Sequence, residues 1–130
     1  MLGMQLSLSR IGQIGIRVLD ISRATAFYRD TLGMRYVFDV PEKMTFFDCG
    51  GVRLMLSLPE GGAEFDHPSS VIYFKVDDIQ QAFQTLAERG AQIVSSPHMI
   101  AQMGSYDLWM GFFKDSEGNV LSLMSEVPNA

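Results

Sequence analysis

A histidine and a tyrosine in one stretch of the chain are the side chains best suited to acid–base chemistry. His98 follows Pro97, and Tyr106 comes shortly after it with Asp107 beside it. An imidazole titrates near neutral pH, so it can act as a general base or acid at a binding site. A histidine here can equally be a surface or packing residue of the predicted loop 96–106. We take His98 and Tyr106 as the candidate catalytic residues and leave that alternative open.

Three cations, Arg17, Arg53 and Lys75, lie on strand-like segments that also carry apolar residues. Guanidinium and ammonium groups beside an apolar surface suit a ligand with a carboxylate or phosphate on a flat or aliphatic body. Long basic side chains also extend into solvent without binding anything. The sequence supports both interpretations of the three cations.

The elements that would position these groups are predicted twice, as strand, helix and three strands. Asp20 and Asp78 begin the two predicted helices, and Gly33 and Gly90 end them. This internal repeat predicts two similar modules. The first module covers residues 11–58, with strands at about 14–19, 34–39, 44–48 and 52–58. The second covers 70–126, with strands at about 70–76, 91–95, 107–114 and 119–125, and the linker covers 59–69.

Alternation along the strands sorts side chains onto two faces of each predicted sheet. One face is apolar and lies under the helix. The other, which we call the mixed face, carries both polar and apolar residues, and two mixed faces set against each other would line a cup-shaped cavity. Trp109 is either a core residue or a ligand platform. The candidate ligand-binding residues are Gln13, Arg17, Arg53, Met55, Val71, Tyr73, Trp109, Ser122 and Met124.

Composition limits the classes of function that remain. The hydrophobic content of 47% is that of one folded domain over residues 1–130. A net charge of −5 without a Lys/Arg cluster argues against nucleic acid, and no apolar run approaches the length of a membrane span. A lone cysteine, Cys49, fits a reducing cytoplasm. We therefore expect a cytoplasmic protein with a small-molecule partner, and with neither a nucleic-acid nor a membrane partner.

The chain resembles the vicinal oxygen chelate superfamily, which includes glyoxalase I, bleomycin-resistance proteins, fosfomycin-resistance transferases and extradiol dioxygenases. The resemblance covers residues 11–126 and implies an α+β fold of two tandem βαβββ modules, which form curved mixed sheets around the cup. It also implies a homodimer. The motifs that carry it are Asp20-Ile21, Phe27 to Gly33, Val76-Asp77-Asp78-Ile79, Arg89-Gly90-Ala91 and Phe112 to Asn119.

The same resemblance implies where a metal would bind in a metalloenzyme of the superfamily. The matching positions are Gln13, Met55, Val71 and Ser122, where the family usually has His or Gln, Glu, His and Glu. Methionine is a soft ligand, valine has no donor atom, and serine is a poor neutral donor. We therefore expect no divalent-metal site and no cofactor.

Three functions remain open from the sequence. The first is a metal-independent protein that binds a small anionic or aromatic compound, as bleomycin-resistance proteins sequester a ligand. The second is a glyoxalase- or dioxygenase-like lyase, isomerase or oxygenase with a non-standard metal or acid–base site near His98. The third is a structural dimer module whose cup is filled by its own side chains.

Overall fold

In the residues that the structure describes, the chain forms two four-stranded mixed sheets and two helices, so the predicted α+β class is confirmed. The computed structural model describes residues 6–59 and 70–129, and most of the predicted linker 59–69 lies outside them. The helices are α1, Ile21–Ala26, which continues as a π-helical turn over Phe27–Thr31, and α2, Ile79–Glu88. The strands are β1 Gln13–Arg17, β2 Arg35–Val40, β3 Met44–Cys49, β4 Val52–Ser57, β5 Tyr73–Lys75, β6 Gln92–Gln102, β7 Tyr106–Lys114 and β8 Val120–Pro128.

The two sheets have the same strand order. The first is β1-β4-β3-β2 and the second is β5-β8-β7-β6. In each sheet the strand before the helix pairs in parallel with the last strand, and the other pairs are antiparallel. This is the order expected of two βαβββ modules. A cup enclosed by the two mixed faces is not shown and stays a prediction.

Both helices begin and end as their sequences predict. The Asp20 side chain accepts a hydrogen bond from the Arg23 N–H at 2.9 Å, and Asp78 accepts one from the Gln81 N–H at 3.1 Å. These bonds satisfy backbone donors that the first helical turn leaves open. Gly33 and Gly90 follow the helices with φ of 70° and 85°, in the left-handed region that favours glycine.

The helix-facing sides of the two sheets share one hydrophobic core. Ile16, Leu56 and Phe47 of the first module belong to the same buried cluster as Phe113 and Leu121 of the second. Along β1, β4 and β5, residues at alternate positions are buried or half-buried beneath the helix, and the residues between them are more exposed. The predicted division into a helix-facing side and a mixed face therefore describes both modules.

The prediction of a loop over residues 96–106 is wrong. Strand β6 continues to Gln102 and turns into β7 through Gly104, with the Met103 N–H bonded to the Tyr106 carbonyl at 2.8 Å. Pro97 lacks a backbone donor, but β6 is the edge strand of its sheet, where that donor is not needed. Three shifts of register between β6 and β7 also break the alternation by which a strand is recognised.

No helix within residues 6–59 and 70–129 has the length and apolar character needed to cross a membrane.

Candidate functional site

Three of the predicted ligand-binding residues meet on the mixed face of the first module. The Arg53 Nε donates to Gln13 Oε1 at 2.7 Å, and the Gln13 side-chain amide approaches the Met55 sulfur at 3.6 Å. Gln13 and Arg53 are partners across β1 and β4, and Gly15 is the partner of Met55. The Met55 methyl group lies over Gly15, where a Cβ would make an ordinary 3.5 Å contact with it.

An aromatic pair continues this face onto β3 and β2. Phe38 and Phe46 stack with ring centroids 4.5 Å apart, and the Arg53 guanidinium lies 5.2 Å from the centroid of Phe46. A guanidinium over an aromatic ring is an attractive arrangement that also holds the cation in place. The first mixed face therefore presents a fixed cation beside a flat apolar surface, with the Gln13 amide next to it.

The mixed face of the second module is more apolar. Tyr73 and Phe112 meet edge to face with centroids 6.0 Å apart. Between them in the ladder lies Ser122, which pairs with both. Ser122 is fully buried, and its hydroxyl donates to the Gly111 carbonyl at 2.8 Å. The predicted polar contact at Ser122 is therefore occupied by the backbone of β7.

A row of strand partners places His98 on this second mixed face. Lys75 pairs with Met124, Met124 with Met110, and Met110 with His98. Side chains of directly paired residues project from the same face of a sheet. The Lys75 Nζ lies 3.0 Å from the Glu126 carboxylate at the exposed end of the row. His98 is exposed, and its Nδ1 lies 3.0 Å from the Ser96 carbonyl.

The two candidate catalytic residues are not brought together. Tyr106 begins β7, whereas His98 pairs with Met110 four residues further along that strand. At the usual rise per residue this separates them by roughly 13 Å along the sheet. The arrangement gives no acid–base pair within hydrogen-bonding reach.

The remaining predicted ligand-binding residues have different surroundings. Trp109 lies on the helix-facing side of β7, because it alternates with Gly111 and with Phe113, whose ring packs edge to face on Phe83 of α2. It therefore packs against the core and does not line the mixed face. Arg17 is the partner of Ser57 at the end of β1 and is half-buried, and Val71 is exposed before β5.

The four positions that hold a metal in the superfamily do not fit a divalent ion. The Gln13 amide oxygen already accepts from Arg53, and the buried Ser122 hydroxyl donates to a carbonyl. Val71 offers no donor, and Met55 offers only a thioether. Within the described parts of the chain, no three His, Cys, Asp or Glu residues are grouped to hold a metal.

Sequence reasoning missed four residues of the mixed faces. Phe38, Phe46, Met110 and Phe112 all lie beside predicted residues on these faces. The signal was present, because Phe46-Phe47 and Phe112-Phe113 lie on equivalent strands, and alternation assigns one phenylalanine of each pair to each face.

A second missed feature joins the two modules. The turn after β7, from Asp115 to Asn119, docks on the first module. The Tyr28 hydroxyl donates to Asp115 at 2.7 Å, and the Asn119 side-chain amide donates to the Arg17 carbonyl at 2.8 Å. In the sequence, turn chemistry alone is enough to account for Asp115 and Glu117. We call the turn Asp115–Asn119 the docking turn.

Glu117 is the most highly connected residue of the docking turn. Its carboxylate accepts from the N–H groups of Leu19 and Asp20 at 2.9 and 2.8 Å, and Arg23 contacts it at 2.7 and 2.9 Å. Desolvation acts to raise the pKa of Glu117, but the hydrogen bonds from Arg23, Ser116 and the two backbone groups outweigh it and lower the pKa to about 2. Burial, and then the Asp115 carboxylate, raise the pKa of Tyr28.

Two openings in the described structure lie away from the mixed faces. A crevice of about 500 Å³ runs between the two modules on the helix-facing side, with Cys49 and Phe74 on its opposite walls. Burial, and then the Asp48 charge, raise the pKa of the Cys49 thiol, which keeps it in the weakly nucleophilic protonated form. A polar groove of about 520 Å³ lies between α1 and the β2–β3 hairpin, beside Thr25 and Tyr36.

Comparisons with known sequences point to one family. The family model described as Glyoxalase/Bleomycin resistance protein/Dioxygenase superfamily matches residues 10–123. A glyoxylase-like domain-containing protein of Didymella fabae is 27% identical over 124 residues, which cover 85% of this chain and 88% of that protein. The uncharacterized protein YraH of Bacillus subtilis (strain 168) is 24% identical over 123 residues, which cover 85% of this chain and 94% of YraH.

Solved structures have the same fold. A superfamily member from Sphaerobacter thermophilus DSM 20745 matches with a TM-score of 0.76 and 27% identity, over 93% of this chain and 100% of its own. Lactoylglutathione lyase from Agrobacterium tumefaciens matches with a TM-score of 0.74 and 21% identity, over 92% of this chain and 95% of its own. The likeness to the lyase shows the fold alone.

Proposed function

The chain belongs to the glyoxalase/bleomycin resistance protein/dioxygenase superfamily, and we propose that it binds a small anionic or aromatic compound on its mixed faces without a resident metal. The observation that carries this proposal is the position of Arg53. Its guanidinium lies over the Phe46 ring and is held by Gln13, with Phe38 stacked beside it. A planar ligand with a carboxylate would find an apolar surface and a fixed cation at one place.

The enzymatic alternative has less support. His98 and Tyr106 lie roughly 13 Å apart along the sheet, from the usual rise of a strand, and Ser122 is engaged by a backbone carbonyl. A carrier or sequestering role needs only the surface, the cation and reversible binding. The proposal includes the cytoplasmic location, for which the lone cysteine is the support.

We propose further that a second copy of the chain covers the mixed faces. Phe38 and Tyr73 are each 45% exposed, and Val71 is 38% exposed, although all three are apolar or largely so. Exposed apolar side chains on both mixed faces are typical of surfaces that another protein covers. A homodimer that sets mixed faces against each other would close the predicted cup, so ligand binding and association would be linked.

The test is a calorimetric titration of protein treated with a chelator. Benzoate is the probe, and benzamide is its uncharged counterpart. We expect benzoate to bind and benzamide to bind more weakly, because only benzoate pairs with Arg53. The Arg53→Gln variant should weaken benzoate binding by about tenfold, the scale of one charge-assisted hydrogen bond.

Lys43→Gln is the matched control. Lys43 is exposed in the turn between β2 and β3, and its replacement removes the same charge. It should leave the benzoate affinity unchanged. Equal losses in the two variants would show that net charge alone attracts the probe, and equal binding of benzoate and benzamide would remove Arg53 from the proposed site.

A further inference from the structure

The crevice between the modules is a feature that the proposed function does not use. It has a volume of about 500 Å³, which is in the range of small-molecule sites. It lies on the helix-facing side, whereas the proposed ligand surface is on the opposite face of each sheet. Its two walls come from different modules, with Met34 and Cys49 on one and Phe74 and Leu86 on the other.

The equivalent position on the other side of the molecule is filled. Asp20 and Asp78 cap the two helices 58 residues apart, and this offset relates Val18 to Val76 and Tyr28 to Leu86. Tyr28 is fully buried and receives the docking turn of the second module through its bond to Asp115. Val76 and Leu86, by contrast, line the crevice.

The difference comes from the turns that face these two positions. Cys49 pairs with Val52 where β3 and β4 meet, and Asp115 bonds to Asn119 where β7 and β8 meet. The two strand pairs therefore end in equivalent ways. The docking turn inserts Glu117, whereas the first module has only Gly50 and Gly51, both with positive φ. A turn of two glycines has no side chain to place between the modules. The described part of the chain thus closes one of two equivalent positions and leaves the other open.

The lining of the open position is chemically specific. Its floor is formed by buried core side chains that include Phe113 and Leu123. The described part of its rim carries Arg35, Arg89 and Asp48. Arg35 and Asp48 are partners across β2 and β3, so their charges offset each other, and Arg89 supplies the excess positive charge. The Arg89 guanidinium is anchored by a 2.8 Å bond from one amino group to the Thr31 carbonyl, which leaves its other N–H groups for a ligand.

We infer that this crevice is a second binding site, distinct from the mixed faces, for a small monocarboxylate with an apolar body. The apolar body would occupy the floor of the crevice. At the equivalent position on the other side of the molecule, that space is filled by buried protein side chains. The carboxylate would pair with Arg89 at the rim, in the charge-assisted geometry that guanidinium and carboxylate groups favour. The ligand would join the two modules where the chain itself does not.

The test is a nuclear magnetic resonance titration of protein carrying methyl-labelled methionine. Met34 lines the crevice, and Met55 and Met124 lie on strands of the mixed faces, so each methyl group reports one site. The probe is 4-phenylbutyrate, and 4-phenylbutanol is its uncharged counterpart. We expect the Met34 resonance to shift with the acid, at a dissociation constant at least about tenfold lower than with the alcohol. Met34→Leu assigns the reporter.

Three variants separate the contribution of Arg89 from general effects. Arg89→Gln should weaken the binding of 4-phenylbutyrate by at least about tenfold. Arg89→Lys should restore part of this affinity, and Lys43→Gln should leave it unchanged. Thermal unfolding confirms that each variant is folded. The inference is overturned if the Met34 resonance does not shift at about 10 mM probe, a concentration well above the dissociation constant of a specific site. It is also overturned if the acid and the alcohol bind with equal affinity. A shift confined to Met55 and Met124 also overturns it, and leaves the proposed function standing.

Discussion

At the scale of single residues, the docking of the modules depends on Glu117, and the proposed ligand binding depends on Arg53. Glu117 holds the modules together through four hydrogen bonds to the β1–α1 corner. Arg53 is held on the surface by Gln13 and Phe46 and is therefore oriented for a ligand. The sequence predicted the face on which Arg53 lies. It could not predict the role of Glu117, because the partners of that carboxylate are nearly one hundred residues away in the chain.

Replacement of Glu117 should destabilise the protein. Glu117→Gln keeps the shape of the side chain but loses the charge that Arg23 and two backbone donors recognise. We expect a loss of about 1–3 kcal/mol in the free energy of unfolding, measured by urea titration at neutral pH. Glu88→Gln removes an exposed carboxylate at the end of α2 and serves as the control. Equal effects of the two substitutions would contradict the role assigned to Glu117.

The same residue predicts how stability depends on pH. The folded state lowers the pKa of Glu117 to about 2 from an ordinary value of 4.5, so the folded state favours the charged form. Its stabilising effect is therefore fully present above about pH 4.5 and is lost as the pH falls towards 2. We expect the difference in unfolding free energy between wild type and Glu117→Gln to shrink over this interval. A difference that stays constant from pH 6 to about 2 would contradict the assigned pKa.

At the scale of elements, local residue patterns were sufficient to predict the helices and the regularly paired strands. Asp20, Asp78, Gly33 and Gly90 predicted both helices within a residue or two, because caps depend on neighbours in the chain. The strand predicted at about 91–95 is the first part of β6, and its continuation to Gln102 was not predicted because its pairing with β7 is irregular and is therefore not visible as alternation. The sequence does not predict which face of β7 carries Trp109, because a lone aromatic residue fits either face of a strand.

The packing of α2 on β7 gives a prediction for this element. A Cβ at Gly111 would lie 2.6 Å from the Phe83 ring and 3.1 Å from the Pro97 nitrogen. Gly111→Ala should therefore force α2 or β6 to move and cost about 1–3 kcal/mol of stability. Gly15→Ala is the control, because its Cβ would make an ordinary 3.5 Å contact. Unfolding in urea measures both, and equal stabilities would show that Phe83 can move aside without cost.

At the scale of the whole molecule, the two modules share one core and leave both mixed faces outside it. The sequence predicted this division because burial under a helix imposes a period of two on each strand. It could not predict which turn docks between the modules, since that choice depends on contacts across the core. The crevice and the docking turn lie at equivalent positions of the two repeated modules.

Association of two chains is the prediction that belongs to this scale. Sedimentation at increasing concentration should give twice the chain mass. Tyr73→Asp should shift the equilibrium towards the single chain, because a dimer would have to bury the new charge. Gln84→Asp places the same charge on the exposed surface of α2 and should not affect the mass. A single-chain mass for the wild type at all concentrations would contradict a dimer formed through the mixed faces.

Metal content is the most direct test of function without a resident metal. Untagged protein would be analysed by mass spectrometry and then titrated with nickel, zinc, manganese and iron while its thermal unfolding is followed. We predict less than about a tenth of an equivalent of any metal and no rise in melting temperature, because a ligand stabilises only the state that binds it. Close to one equivalent, with stabilisation on titration, would contradict the proposal and make metal-dependent catalysis the leading function.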